Sequence, residues 1–430
     1  MSKMRILMLV AESWRRDSSG GNVTDNHFSE MNAEFAQIFT SADLPRNNTC
    51  YRYYQFTEIE IIKNFLLRKP VGHILDVEKI GLESYKSELE ERKLLDLFRI
   101  LRWDIFYLLK NFIWRYSRWK TTDLEKFILE FNPDVIFAPC YPSPFQLALT
   151  RYVKNLTGKK VVSYSSDDNY SLKQFSISPF FWINRFWNRY CLRKTYPFYD
   201  LIYSMTQSEI DEMSAVTKVP MKILHKGINI NTHDKGKIGS PIKVIYAGGI
   251  YLDRWKVLAS IGKVLREINM NEVKVVLNIY TQNTLTVAQQ RALDDNKNIF
   301  VHSAVDYDQL KRIYSESDIA LHVESFSLRN RLKTRLSFST KIIDCLGSGC
   351  AVMAIAWKNQ GGLKYLLNQN AALCITNPKD LKANLELLLN NHDLILDFSK
   401  KAHQCIVKNH DIIKIREGLY SDLINLVKDC

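Results

Sequence analysis

The stretch from Ile242 to Trp255, IKVIYAGGIYLDRW, decides the fold. An apolar, β-branched run, Ile242–Ala247, ends in Gly248 and Gly249, and the next residues read as a helix with Arg254 in its first turns. A strand that feeds a helix through paired glycines can hold a diphosphate, because backbone N–H groups, the helix dipole and a guanidinium fork all meet its charge. The phosphate-loop signature G-x-x-x-x-G-K-[ST] does not occur, and read alone Arg254 is as well explained as a solvated helix residue.

The same grammar recurs on either side. Arg5–Val10, Asp134–Pro139, Lys160–Tyr164 and Asp200–Met205 before it are short apolar runs, as are Val273–Tyr280, Ile299–His302, Asp318–Val323 and Ala351–Ile355 after it. Most lead through a polar loop into a helix-period segment. Runs so uniformly apolar suit strands covered on both faces, and their alternation with helices predicts parallel sheets with right-handed crossovers. The class is α/β, twice over, and 430 residues are enough for two such domains. Residues 1–216 make the first and 241–405 the second; 217–240 is a linker whose Pro, Gly and charged residues resist burial. Lys222–His225 reads as one strand inside that linker. Residues 406–430 hold a terminal helix, spaced as one over Asp411–Val427, that is a candidate to cross back to the first domain.

Composition narrows the partner. A hydrophobic fraction of 46% and a charged fraction of 24% are those of ordinary globular proteins, and 16 Gly and 11 Pro exclude collagen-like and low-complexity chains. A net charge of +13 with 12% aromatic residues implies an anionic partner: phosphate, nucleic acid or a membrane surface. The eight cysteines form no C-x-x-C pair and no dense framework, which suits a reducing compartment. The N-terminal apolar run is too short for a signal peptide, and no stretch reaches the roughly 18 uncharged apolar residues of a spanning helix. The chain is expected to lie on a membrane rather than cross one.

In doubly wound folds ligands sit beyond the carboxyl ends of the strands, so the residues just after each run are the candidates. After the first run, Gly20 and Gly21 either admit backbone donors to a phosphate or make an ordinary tight turn. After Lys160–Tyr164, Asp167 and Asp168 either orient sugar hydroxyls or take a proton, or else cap a helix. Asp318–Val323 ends at Glu324, and a basic loop with Arg329, Arg331, Lys333 and Arg335 comes next. Ser339 or Thr340 caps a short helix that starts at Lys341 and places Asp344 one turn on, on the same face. A carboxylate there can accept both hydroxyls of a ribose while Lys341 faces phosphate; the alternative is an i, i+3 ion pair.

These stations, in this order, resemble a GT-B glycosyltransferase, specifically the large family 4 (group 1) of nucleotide-sugar-dependent enzymes. Ile223-Leu224-His225-Lys226-Gly227-Ile228-Asn229 is similar to that family's I-P-N-G-[IV]-D, and Tyr246-Ala247-Gly248-Gly249 to its Y-x-G-R. Asp308–Val323 is similar to its L-x-x-x-Y-x-x-A-D-[IV], and Asp344–Val352 to its E-A-M-A-x-G-x-P-V. The resemblance implies two Rossmann-like doubly wound parallel-sheet domains facing across a cleft. It places Asp344 on the ribose, Arg254 on the diphosphate, Glu324 toward the donor sugar, Gly248 and Gly249 in the nucleotide cradle, and Gly20 and Gly21 in the first domain's glycine loop. Gly249 stands where the family usually has an arginine, so Lys341 or a loop arginine has to supply that charge. Glu324 and Asp344 have nineteen residues between them, a wider spacing than the family's pair of acids. The S-T-K-x-x-D-x-L-x-x-G form resembles a subgroup of bacterial surface-polysaccharide transferases.

The implied reaction is retaining transfer from a nucleotide diphosphate sugar, bound as co-substrate, to a saccharide acceptor held by the first domain. Lipid linkage of that acceptor, in O-antigen or capsule biosynthesis, is part of the same expectation. Arg254, Lys341 and Glu324 are the catalytic candidates, with Asp168 positioning a sugar. No tightly bound cofactor and no metal is implied, and no D-x-D loop or His/Cys cluster argues for one. In the first domain, residues 93–120 and 178–196 mix Trp, Tyr and Phe with Lys and Arg. Leu97, Ile100, Leu101, Ile105, Leu108 and Phe112 share a helical face opposite Arg99, Arg102 and Lys110. That pattern suits the inner face of the plasma membrane, with a polyprenyl-diphosphate-linked acceptor and a cytoplasmic chain, or a core helix with snorkelling arginines. Other readings are a nucleotide-sugar epimerase or a non-catalytic GT-B partner. Nucleic-acid binding ranks below them, since no zinc-finger spacing or RNP aromatic motif occurs and the cations sit at strand ends.

Overall fold

The structure is a computed structural model that describes residues 3–15, 19–76, 104–230 and 235–428. The chain divides into two units: Met1–Leu172, Ser176–Leu224 and Ile415–Cys430 form unit 1, and Lys173–Phe175 with His225–Lys414 form unit 2.

In unit 1 the strands β1 (Met4–Val10), β2 (Ala33–Phe39), β3 (Arg52–Gln55), β4 (His73–Leu75), β5 (Val135–Phe137), β6 (Lys160–Ser165), β7 (Leu201–Ser204) and β8 (Met221–Ile223) lie in the order β4-β3-β2-β1-β5-β6-β7-β8. All pairs are parallel except β3 with β4. The sheet is parallel as expected, with one antiparallel pair at its β4 edge. β1 is buried through most of its length because both faces are covered: Leu7 and Leu9 join the core on one face, Ile6, Met8 and Val10 that on the other. Helices α1 (Ser19–Phe28), α2 (Glu58–Leu67), α3 (Asp104–Tyr116), α4 (Pro144–Thr157) and α5 (Pro179–Thr195) flank this sheet. Ser143 and Ser178 cap α4 and α5, each followed by proline at the first helical position, where its missing N–H costs nothing.

Unit 2 has β9 (Ile242–Ala247), β10 (Val275–Thr281), β11 (Ile299–Ser303), β12 (Ile319–Val323), β13 (Ala351–Ile355) and β14 (Leu373–Ile375), all parallel, in the order β11-β10-β9-β12-β13-β14. The helices that matter for its site are α6 (Arg254–Ile268) and α7 (Lys341–Leu346). In each sheet the chain builds outward from one strand, then returns to its other side. The resulting switch points lie between β1 and β5 and between β9 and β12, where ligands of such sheets bind.

The stretch 217–240 is divided between the units, with residues 217–224 in unit 1, where β8 pairs with β7, and His225 onward in unit 2. The terminal helix Ile412–Lys428 belongs to unit 1 from Ile415 on. There Leu419 and Leu423 bury into the core around β1, Arg416 donates to the Asn26 carbonyl at 2.8 Å, and Tyr203 donates to Asp422 at 2.6 Å. Among the described residues no helix is long and apolar enough to cross a membrane.

Candidate active site

The site of unit 2 is built at the β9–β12 switch point, where Val244 pairs with Ile319. β9 is followed at once by Gly248, whose φ is +157°. A Cβ there would stand 2.1 Å from Lys341 Nζ, so the lysine amine rests directly on the glycine. The Gly249 carbonyl accepts from Tyr246 Oη at 2.7 Å, while its N–H meets no acceptor among the described residues. Leu252 and Asp253 adopt left-handed φ of +55° and +60° and turn the chain sharply into α6. Asp253 does not cap that helix; it accepts from Asn330 Nδ2 at 3.0 Å. The N–H groups of Arg254, Trp255 and Lys256 are taken by the carbonyls of Tyr251, Ile250 and Asp253, so helix-start donors are not free here as the sequence suggested.

Arg254 is buried, not solvated. Its Nε and Nη2 donate to Glu324 Oε2 and Oε1 at 3.1 and 2.7 Å, a bidentate pair that leaves Nη1 over. Burial opposes the guanidinium charge, and the Glu324 carboxylate more than restores it, so the group stays protonated. Glu324 lies just beyond β12 and is itself buried, so one side chain positions the other. Lys341 makes no hydrogen bond or ion pair among the described residues. Burial, then repulsion from Arg254, holds its amine down at about 8.

Asp344 lies on α7 with Lys341 but does not pair with it; its Oδ1 accepts from Lys226 Nζ at 2.9 Å. The i, i+3 ion pair is therefore set aside. Thr340 precedes α7 without a side-chain cap. Part of the expected basic loop is a short helix, Leu328–Lys333, in which the Arg331 guanidinium covers the Trp357 ring at 4.5 Å.

Gly248, Gly249, Arg254, Glu324, Lys341 and Asp344 thus converge in unit 2, and Gly20, Gly21 and Asp168 belong to unit 1. Gly20 and Gly21 lie in the first turn of α1 rather than in a loop. A Cβ at Gly21 would come 1.9 Å from the Arg15 carbonyl, so close backbone approach requires this glycine. Asp168 is consumed structurally: its Oδ1 accepts from Arg185 Nη2 at 2.9 Å and from Ser171 N–H at 2.8 Å, and its Oδ2 from Ser171 Oγ at 2.5 Å. The carboxylate expected to act on a sugar thus holds Arg185 and the turn at Ser171.

Two residues of the site were not anticipated. His322 is buried under Glu324, its Nε2 3.8 Å from Oε1 and without a hydrogen-bond partner. Burial, with repulsion from Arg254 and Lys341, holds it neutral at about 3, so this contact is not an ion pair. A lone histidine inside the apolar run Asp318–Val323 was the available signal. Lys226 is the other; it sits inside the quoted Ile223–Asn229 motif, but nothing in the sequence ties it to Asp344. Among the described residues no cluster of three His, Cys, Asp or Glu is placed to hold a metal.

Residues 265–417 match the family described as glycosyl transferase-like, a segment that holds Glu324, Lys341 and Asp344 but starts after Arg254. No curated protein matches the chain by sequence. Among solved structures, sucrose-phosphate synthase from Thermosynechococcus elongatus is similar over 100% of both chains, with a TM-score of 0.62 at 11% identity. The α,α-trehalose 6-phosphate synthase of Burkholderia multivorans is similar over 100% of this chain and 98% of its own, at 0.59 and 12%. Anabaena HepE, in complex with UDP-glucose, is similar over 98% of this chain and 100% of its own, at 0.59 and 11%. At such identities the likeness is one of fold, and that fold is GT-B.

Proposed function

We propose that this chain is a glycosyltransferase that draws a sugar from a UDP-sugar and passes it to a saccharide acceptor carried on a lipid, a step in building O-antigen or capsule. The observation that carries this reading is the unpaired amine of Lys341, seated on Gly248 beside the Arg254–Glu324 pair at the switch point. The UDP-sugar neighbours and the glycosyl transferase-like segment support the donor class. As the anomeric bond breaks, negative charge grows on the leaving diphosphate. Lys341, the remaining Nη1 of Arg254 and the Gly249 N–H are the donors in place to take it up. Glu324 acts as a positioning residue for Arg254, and Asp344, held by Lys226, is the acid for the ribose. Retention of the anomeric configuration is what the family 4 resemblance supports. A titration with UDP, GDP and dTDP followed by thermal midpoint tests the reading: UDP raises the midpoint, and Asp344→Ala removes much of the rise. No shift with any of the three sinks it.

Membrane attachment is part of the same proposal. Helix α3 packs against both α2 and α5. Leu66 and Leu67 on α2, Ile105, Leu109 and Phe112 on α3, and Ile183, Phe186 and Tyr190 on α5 are exposed. On α3 the predicted face thus points outward at Ile105 and Phe112; Leu97, Arg99, Ile100, Leu101 and Arg102 lie outside the described residues. Exposed aromatic and aliphatic residues on a chain of net charge +13 suit a cytoplasmic leaflet rich in anionic lipid. Flotation with vesicles containing phosphatidylglycerol is expected to carry the chain. Phe112→Ser with Phe186→Ser is expected to reduce it severalfold, and equal flotation of that variant removes the proposed face.

A further inference from the structure

The nineteen residues between Glu324 and Asp344 hold five cations, Arg329, Arg331, Lys333, Arg335 and Lys341, and no acid. From Ser325 to Lys379 the sole acid is Asp344, which Lys226 already holds. The short helix Leu328–Lys333 occupies part of this stretch and is tied down on three sides, all within unit 2. Asn330 Nδ2 and Ser327 Oγ donate to Asp253 Oδ2 at 3.0 and 3.3 Å, beside Arg254. The carbonyls of Arg335 and Ser337 accept from the Gly361 N–H at 2.9 Å and from Gln360 Nε2 at 2.8 Å, in the segment that follows β13. The third tie is Arg331, whose guanidinium covers the Trp357 ring. Trp357 lies two residues past Ile355, and the Ile355 carbonyl accepts the Glu324 N–H at 2.9 Å. The helix is thus anchored at the carboxyl ends of β12 and β13, next to both members of the Arg254–Glu324 pair.

At about 3.6 residues per turn, Arg329 and Lys333 share one face of this helix and Arg331 lies on the other. Arg329 and Lys333 are exposed, as a solvated face is, whereas Arg331 is half-buried. Arg185, Arg254 and Arg416, also buried or half-buried, each meet a carboxylate. Arg331 meets none among the described residues. Its guanidinium makes no ion pair and no hydrogen bond there; Nε is buried, and Nη1 and Nη2 are left at the surface. A cation partly withdrawn from water without an anion is costly, and an indole face offsets only part of that cost. The two outer nitrogens of a guanidinium form the fork that takes a carboxylate.

We propose that Arg331 selects a donor whose sugar carries a carboxylate, a nucleotide uronate, by pairing with that group through Nη1 and Nη2. The inference rests on the transferase reading, in which Glu324 stands toward the donor sugar, and adds the charge of that sugar. Lys341 and Arg254 serve the diphosphate end of the same molecule. Glu324 does not repel a uronate, because Arg254 already offsets its charge.

The test is calorimetry on the full chain at pH 7 with UDP, UDP-glucose, UDP-galactose, UDP-glucuronate and UDP-galacturonate. At least one uronate is expected to bind about tenfold or more tightly than its neutral counterpart. Arg331→Gln is expected to bring that uronate down to the level of the neutral sugar and to leave UDP and both neutral sugars as they were. A merely structural arginine would not confine its effect to uronates. Arg329→Gln with Lys333→Gln, on the solvated face, is expected to keep the preference. Should Arg331→Gln not fold, Trp357→Leu removes the ring that orients the guanidinium and is expected to shrink the preference. The proposal is overturned if neither uronate outbinds its neutral counterpart, or if the solvated-face variant loses the preference as fully as Arg331→Gln. It is overturned equally if Arg331→Gln weakens UDP as much as the uronate, which would put the guanidinium on the diphosphate. Failure of UDP itself to bind sinks the donor assignment and this inference together; UDP and UDP-glucose binding without a uronate preference sinks this inference alone.

Discussion

The two switch points occupy equivalent places in their sheets and are furnished in opposite ways. Beyond β9 and β12 stand Arg254, Glu324, Lys341, Asp344 and Lys226, and among the described residues the Lys341 amine makes no ion pair. Among the described residues beyond β1 and β5, Lys110 and Arg185 are both ion-paired, and the amide oxygens of Gln146 and Asn188 are buried without a donor. The architecture sets where a ligand goes, and the unmet requirement of the side chains there sets what it is.

The largest effect expected is that of Glu324→Gln. It leaves the buried Arg254 guanidinium without its carboxylate, and removing one partner of a buried pair costs about 3–5 kcal/mol. The midpoint of unfolding should fall accordingly, and UDP-glucose binding should fall with it. Asp168→Asn disturbs the other buried guanidinium, Arg185, and should also cost stability, yet leave UDP-glucose affinity as it was. A calorimetric titration in which Asp168→Asn weakens UDP-glucose as much as Glu324→Gln does would abolish the distinction between the two positions.

Next comes the amine on the glycine. Lys341→Ala removes a charged donor, worth about 1.5–3 kcal/mol, which corresponds to roughly 10- to 150-fold in UDP-glucose affinity. Gly248→Ala should do nearly the same damage without touching a charge, because the new Cβ claims the space of Lys341 Nζ. If Gly248→Ala binds UDP-glucose like the wild type, the lysine is not the group that meets the diphosphate.

The sequence exposed one of these positions far better than the other. Uniform apolar runs located the strands at both switch points, β1, β5, β9 and β12. β2 escaped because Glu34 and Gln37 interrupt it, and Gln37 is polar for a structural reason: it accepts the Trp14 N–H at 3.0 Å. At the second switch point Gly248, Gly249 and Glu324 could be read as strand-end residues, and Arg254, Lys341 and Asp344 as residues of the helices that follow. Their pairing could not, since Arg254 and Glu324 are 70 positions apart and Lys226 and Asp344 are 118 apart. At the first, Asp168 drew attention as a strand-end acid and proved to hold Arg185. The neutral amides Asn184 and Asn188, spaced i, i+4 in an aromatic helix, drew none, although both line a cavity there. Amides carry no charge pattern to follow, and only burial shows which side of the helix they face.

The smallest effect expected is a pH dependence, and its sign is fixed by which form of Lys341 binds. The free protein holds this amine at about 8, below an ordinary lysine, because burial and Arg254 disfavour its charge. A diphosphate needs the charged form, and the diphosphate of UDP-glucose is itself fully ionised between pH 7 and 9, so its own charge does not change. Affinity should therefore be flat below pH 7 and fall as pH rises through 8, by about tenfold between pH 7 and 9. Binding at pH 8 should draw a proton from the buffer, which calorimetry in buffers of different ionisation enthalpy reads directly. Lys341→Arg should flatten the profile, since a guanidinium stays protonated across this range. The residual affinity of Lys341→Ala should not follow the same curve. If it does, a global change in the protein, rather than the amine on Gly248, is what pH controls.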